Sequence, residues 1–205
     1  MALNQPDYDE IQSPNLYYDR NFNREAVKIL PGEYYVTKRD LALVTVLGSC
    51  VAACIRDRIS GMGGMNHFML PGDSGDAEDL SSPSAHYGTY AMEKMINDLL
   101  KMGAKRSNLQ AKLFGGGDVM RGHTVHKVGE RNAEFAINYL VAEKIEILAQ
   151  DLQDVYPRKI YFFPYSGKVL VKKLRSVHND TIVERERQYR SRISITDTQA
   201  KVDLF

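Results

Sequence analysis

Short apolar runs rich in β-branched residues fill the chain after Gly32. Tyr34-Tyr35-Val36, Leu41 to Val46 and Val51 to Ile55 are separated by Lys38-Arg39-Asp40 and by Gly48-Ser49; runs of this length, bounded by turn residues, predict strands. Met62 to Leu70 is a further run, interrupted by Gly63-Gly64 and closed by Pro71-Gly72, in which Met65, His67 and Met69 alternate with Asn66 and Phe68. The period then changes. Met92, Met95, Ile96, Leu99 and Leu100 recur at helical spacing and predict a helix from Pro83 to Met102, with Ser82 as N-cap, Pro83 in the first position and Gly103 as a left-handed stop. A second helix is predicted from near Asn132, its simplest cap, to Lys144, with Phe135, Ala136, Tyr139 and Leu140 on one face. Ala111 to Phe114 reads as a strand running into Gly115-Gly116-Gly117, and Ile145 to Leu148 as another. Lys159 to Phe163 pairs with Lys168 to Leu174 across Tyr165-Ser166-Gly167 as a hairpin. The pattern describes a mixed α/β domain with two main helices, too few helices and too hairpin-rich for a doubly wound parallel sheet.

The flanks read differently. Residues 1–29 show no sustained period and are expected to form a loosely ordered extension, and Asp73 to Ser84 is polar enough for a surface loop. Beyond Val177 the chain becomes Glu184-Arg185-Glu186-Arg187-Gln188-Tyr189-Arg190, a charged run that reads as a solvated tail or exposed helix. The expected organisation is therefore an extension over 1–29, a catalytic domain over 30–176 and a charged extension over 177–205.

Composition narrows the function classes. Among 205 residues, 27 Lys and Arg balance 26 Asp and Glu for a net charge of +1, which leaves no overall basic footprint for a phosphate backbone. No apolar run of about 18 residues is present to span a bilayer. Nucleic acid and an integral membrane segment are set aside on these grounds. Two cysteines and a start reading MALNQPDYDE, without a signal peptide, point to a reducing cytoplasm.

Cys50 follows a strand-like run and a Gly-Ser corner, where a sharp turn can leave a side chain beside free backbone N–H groups. A small buried hydrophobe is the bland alternative. His67, returning on the next strand-like run, could stand beside it; a Cys–His pair is the minimum machinery for nucleophilic attack, since the imidazole stabilises the thiolate and later protonates a leaving group. A satisfied core histidine is the competing reading. Cys54 lies about 13 Å from Cys50 along a strand at ~3.3 Å per residue, beyond disulfide reach, and reads as core. His123 and His126 form an H-x-x-H that could be combined on paper with Cys50, Cys54 and His67, but the spacing matches no standard metal pattern, and a surface loop is simpler. Gly115-Gly116-Gly117-Asp118 lacks the Gly-Lys-Ser/Thr ending of a P-loop, and the glycines read as clearance for a substrate or the neighbouring strand.

Taken in order, Leu47-Gly48-Ser49-Cys50-Val51, Ile55-Arg56-Asp57, Gly63-Gly64-Met65-Asn66-His67-Phe68-Met69-Leu70-Pro71, the helix of Tyr87 to Gly103, Lys112-Leu113-Phe114-Gly115-Gly116-Gly117 and Gly129-Glu130-Arg131-Asn132 resemble the CheD family of chemoreceptor glutamine deamidases. The resemblance runs from about Leu30 to Leu174. It implies an α/β sandwich of mixed, largely antiparallel strands, and a cytoplasmic enzyme that converts glutamines of methyl-accepting chemoreceptors to glutamates. It implies Cys50 as nucleophile and His67 as its partner, with no metal or organic cofactor. The family also carries a threonine shortly before the cysteine that orients the histidine; at that position the chain has Val44, with Thr45 next to it. A one-residue offset in a strand reverses the face, so Thr45 is expected to serve only if the strand end is reshaped or shortened. Family members can also bind and stimulate a CheC-type phosphatase, which gives a partner-module alternative; another cysteine hydrolase, such as a protease or a transglutaminase-like enzyme, is the third reading.

Overall fold

The computed structural model describes residues 15–71, 83–119, 128–174 and 180–200. His123, His126, Ser82 and most of the expected surface loop lie outside them.

Among the described residues, ten strands form two five-stranded sheets. The strands are β1 (Leu16–Asp19), β2 (Arg24–Lys28), β3 (Tyr34–Thr37), β4 (Ala42–Leu47), β5 (Val51–Asp57), β6 (Gly63–Asn66), β7 (Leu109–Gly115), β8 (Glu146–Leu152), β9 (Arg158–Phe163) and β10 (Lys168–Lys173). One sheet has the order β1-β2-β4-β9-β10 and the other β3-β6-β5-β7-β8. Only β2 with β4 and β7 with β8 run parallel; every other pairing is antiparallel. Helices α1 (Pro83–Lys101), α2 (Val128–Ala142) and α3 (Asp180–Ala200) complete the described structure. The mixed, largely antiparallel α/β sandwich matches the expectation; α1 and α2 are the two expected helices, and α3, at 21 residues, is a third and longer one.

The alternation of side chains along β5 shows how the layers stack. Val51, Ala53 and Ile55 pack with Met92, Met95, Ile96 and Leu99 of α1 and with Phe135, Ala136, Tyr139 and Leu140 of α2. Ala52 and Cys54, on the other face, join Leu43 and Leu47 of β4, Ile160 and Phe162 of β9, Met65 and Phe114 between the sheets. Each large side chain so buried contributes about 1.5–3 kcal/mol. α1 closes as expected: Gly103 takes φ +105°, and the Gly103 and Ala104 N–H groups donate to the Leu100 and Leu99 carbonyls.

Three local expectations change. Residues 16–28, expected within a loosely ordered extension, form β1 and β2, because β2 finds a parallel partner in β4 that its own short, weakly alternating run does not announce. α2 begins at Val128, so Asn132 lies inside the helix, fully buried, rather than capping it. The charged run beyond Val177 is helical, and its Glu186 is buried.

Candidate active site

Gly48, Ser49 and Cys50 make the turn between β4 and β5, and the carbonyl of each is held from behind. Gly117 N–H donates to the Gly48 carbonyl at 2.8 Å, Asn132 Nδ2 to that of Ser49 at 2.8 Å, and Gly116 N–H to that of Cys50 at 2.7 Å. Gly115 and Gly116 can approach this closely because they adopt φ of +109° and +65°, and a Cβ on Gly115 would stand 2.2 Å from the Cys50 carbonyl. The Arg158 guanidinium, fully buried, fixes the same loop by donating to the Gly115 and Gln153 carbonyls and to Asp151 Oδ1. Asn132 Oδ1 accepts from Leu70 N–H at 2.9 Å, which fixes its amide orientation and ties α2 to the segment after β6.

With their carbonyls turned away, the N–H groups of all three turn residues converge on one point, a nest that favours a negative oxygen. The Glu186 carboxylate of α3 occupies it. Gly48 N–H donates to Oε1 at 2.8 Å and Cys50 N–H at 3.3 Å, while Ser49 N–H and its hydroxyl donate to Oε2 at 2.9 and 2.7 Å.

His67 follows β6 on the face shared with Met65 and Met69, toward the space between the sheets. The ladder continues past it, Val51 and Phe68 exchanging hydrogen bonds, and the Asn66 side chain supplies the acceptor for Ala53 N–H. Thr45 shares the inward face of β4 with Leu43 and Leu47, whereas Val44 packs on the opposite side. No reshaping of the strand is needed: β4 stays in register with β9 from Leu43 to Leu47. Because Cys50 is the last residue of the turn and not part of β4, alternation does not govern which face a residue counted back from it adopts.

Thr45 Oγ1 lies 2.8 Å from His67 Nδ1 and donates its own hydrogen to the Ile29 carbonyl at 2.8 Å. With that hydrogen committed, His67 Nδ1–H must be the donor to Thr45, which leaves the lone pair on Nε2. Nε2 is buried and has no hydrogen-bond partner among the described residues. A His67 ring nitrogen, Cys50 Sγ and a Glu186 oxygen all lie within 4.8 Å of one another. Burial holds His67 down at about 4 against the upward pull of Glu186, and burial together with Glu186 pushes the Cys50 thiol well above its usual range. In this arrangement the pair is a neutral thiol beside a neutral imidazole.

The structure thus brings together Cys50, His67 and Thr45, and leaves Cys54 in the core between the sheets, its thiol also pushed up by burial. Both cysteines are free. Among the described residues, Cys50, His67 and Glu186 are the one group able to offer three metal ligands; a cation there would have to draw Glu186 away from donors that already engage both its oxygens. Asn132 and Glu186 were not singled out as site residues from the sequence, although Asn132 closes the Gly129-Glu130-Arg131-Asn132 element.

A thiol beside an imidazole with an unpartnered Nε2, set at the end of a two-sheet sandwich next to three converging N–H groups, is the set of groups that a cysteine-dependent hydrolase employs. The particular family follows from comparison: residues 69–173 match the model for CheD chemotactic sensory transduction, and the chain belongs to the CheD family. It is 61% identical over 191 residues, 93% of this chain and 94% of the relative, to a probable chemoreceptor glutamine deamidase CheD of Janthinobacterium sp. (strain Marseille). It is 59% identical over 197 residues, 96% of this chain and 98% of the relative, to the protein of that description from Thiobacillus denitrificans. A solved structure, the Bacillus licheniformis hypothetical protein YfiH, aligns over 60% of this chain and 49% of its own with a TM-score of 0.37 and 12% identity, too distant to carry an argument. No described helix is long and apolar enough to cross a membrane.

Proposed function

We propose that this protein deamidates glutamine side chains of methyl-accepting chemoreceptors to glutamate in the cytoplasm, with Cys50 as nucleophile, His67 as acid and base, and Thr45 as the residue that positions His67. The observation that carries the reading is the convergence of the Cys50 thiol, the unpartnered His67 Nε2 and three backbone N–H groups on one point. His67 takes the thiol proton through Nε2, and the sulfur attacks the carboxamide carbon. The carbonyl oxygen becomes an oxyanion in the nest. As the tetrahedral intermediate collapses, the C–N bond breaks and the imidazolium proton leaves with ammonia, giving a thioester. Water then attacks the thioester carbon, giving its proton to His67, and the thiolate leaves as glutamate forms. Amide and water are consumed and carboxylate and ammonium released, so the chemistry calls for no metal or organic cofactor.

The test is mass spectrometry of a receptor cytoplasmic fragment incubated with the protein. Wild type converts specific glutamines to glutamate with release of ammonia and no backbone cleavage, and Cys50→Ala lowers the rate by about 10³ or more. An unchanged rate in Cys50→Ala rejects the mechanism, and backbone cleavage would favour a protease. A CheC-type phosphatase is proposed as a second binding partner; a Cys50→Ala protein that still stimulates the phosphatase would separate binding from catalysis.

A further inference from the structure

α3 is a strongly polar helix that meets the body along one stripe. Ile182, Glu186, Tyr189 and Ile193 lie at spacings of four, three and four, and Ile182, Glu186 and Ile193 are buried, while Thr181, Glu184, Arg187, Gln188, Ser191 and Arg192 point outward to solvent. A stripe of this spacing ordinarily carries an apolar side chain at every inward position; here its second member is a carboxylate, only 3% exposed. Burying an anion is costly unless every lone pair is engaged. Glu186 meets that condition by receiving the three N–H groups of the nest and the Ser49 hydroxyl. The fit is close: a Cβ on Gly48 would stand 2.8 Å from both Glu186 oxygens. One turn further on, the Tyr189 hydroxyl is hydrogen-bonded to that of Tyr87, and its ring lies over Gly32. Beneath this helix Cys50 has no exposed surface and His67 has 2%.

From this geometry we propose that α3 is a built-in occupant of the substrate site, presenting Glu186 as the side-chain carboxylate of a helix-borne glutamate, and that it must leave before a substrate helix can enter. The identity of the competing substrate rests on the deamidase reading; the covering of Cys50 does not. A glutamate carried on a helix is the chemical form of the proposed reaction's product, and donors that reach both carboxylate oxygens suit a product better than an amide, whose NH₂ would face the Ser49 N–H. The same carboxylate opposes formation of a thiolate next to it, so the covered enzyme is blocked by charge as well as by access. Attachment along a single stripe makes the covering reversible, and a helix presenting glutamine to the same turn would take over the position α3 vacates.

The experiment measures alkylation of each cysteine in the native full chain by iodoacetamide, followed peptide by peptide, with Cys54 reporting the integrity of the core. Two variants are compared with wild type: Glu186→Ala, which removes the carboxylate, and Tyr189→Ala, which keeps it and removes the neighbouring hold. Both are expected to raise the Cys50 rate by about tenfold or more, the signature of a population moved to the uncovered state, with Cys54 unchanged. An unchanged Cys50 rate in both variants overturns the proposal. So does a rise in Glu186→Ala alone, which would place the effect in the charge rather than the helix, and so does an equal rise at Cys50 and Cys54, which would make α3 a support of the fold. Initial rates on a receptor cytoplasmic fragment should increase in parallel. If Cys50 is uncovered in both variants yet no glutamine is converted by any form, the deamidase reading fails and the covering helix stands.

Discussion

Thr45 shows how a single hydroxyl can decide which nitrogen of a histidine is available. Its hydrogen goes to the Ile29 carbonyl, so its oxygen can only accept from His67 Nδ1–H, and the lone pair is left on Nε2. Thr45→Val keeps the shape of the side chain and removes both bonds. It should lower the deamidation kcat by about 10², with KM on a receptor fragment little changed, as expected when a positioning group is lost from a buried pair; equal kcat would remove Thr45 from the site. Cys50 and His67 were legible as candidates because a thiol after a Gly-Ser corner and a histidine in a glycine-flanked run are locally unusual. Thr45 was harder to place, because counting back from Cys50 assumes that strand alternation continues through Gly48 and Ser49, and the turn breaks it. Glu186 was not legible at all as a site residue: in a run of alternating acidic and basic residues, nothing local separates the one glutamate that turns inward.

At the scale of elements, the site depends on α2 as much as on the strands. Asn132 projects from its first turns to hold the Ser49 carbonyl and the Leu70 N–H together. A helix cap and a buried clamp have the same letter in the sequence; only the start of α2 at Val128 distinguishes them. Asn132→Ala leaves a buried carbonyl and a buried N–H without this partner, which should cost about 2 kcal/mol in chemical denaturation and, by releasing the central peptide of the nest, lower kcat by about 10². A variant with wild-type stability and rate would show that the turn holds its shape unaided. The strands from β3 to β10 and both main helices were readable from period and punctuation. β1 and β2 were not, because short strands gain their stability from a partner far along the chain, and the Ile29 carbonyl that fixes Thr45 comes from the end of that segment.

For the molecule as a whole, the packing of the two sheets and α3 leaves the titratable imidazole of His67 only 2% exposed. Burial lowers His67 from 6.5 to about 4, so between those values the unfolded chain binds a proton that the folded one refuses. Stability therefore falls as pH drops through that window, by up to about 3 kcal/mol from this group. Urea midpoints at pH 7 and pH 4.5 should differ less in His67→Gln than in wild type; an equal acid loss in both would assign the effect to other groups. The nest itself has a consequence for how the chain reaches its working form. Its turn lies between β4 and β5, but the groups that orient it come from the end of β7 and, 83 residues along from Ser49, from α2. Each such contact closes a long loop whose entropy must be met before the contact returns anything. The shape of this turn is therefore not written in its own three residues: the three N–H groups converge because the Gly115–Gly117 loop and Asn132, both remote in sequence, hold the carbonyls behind them.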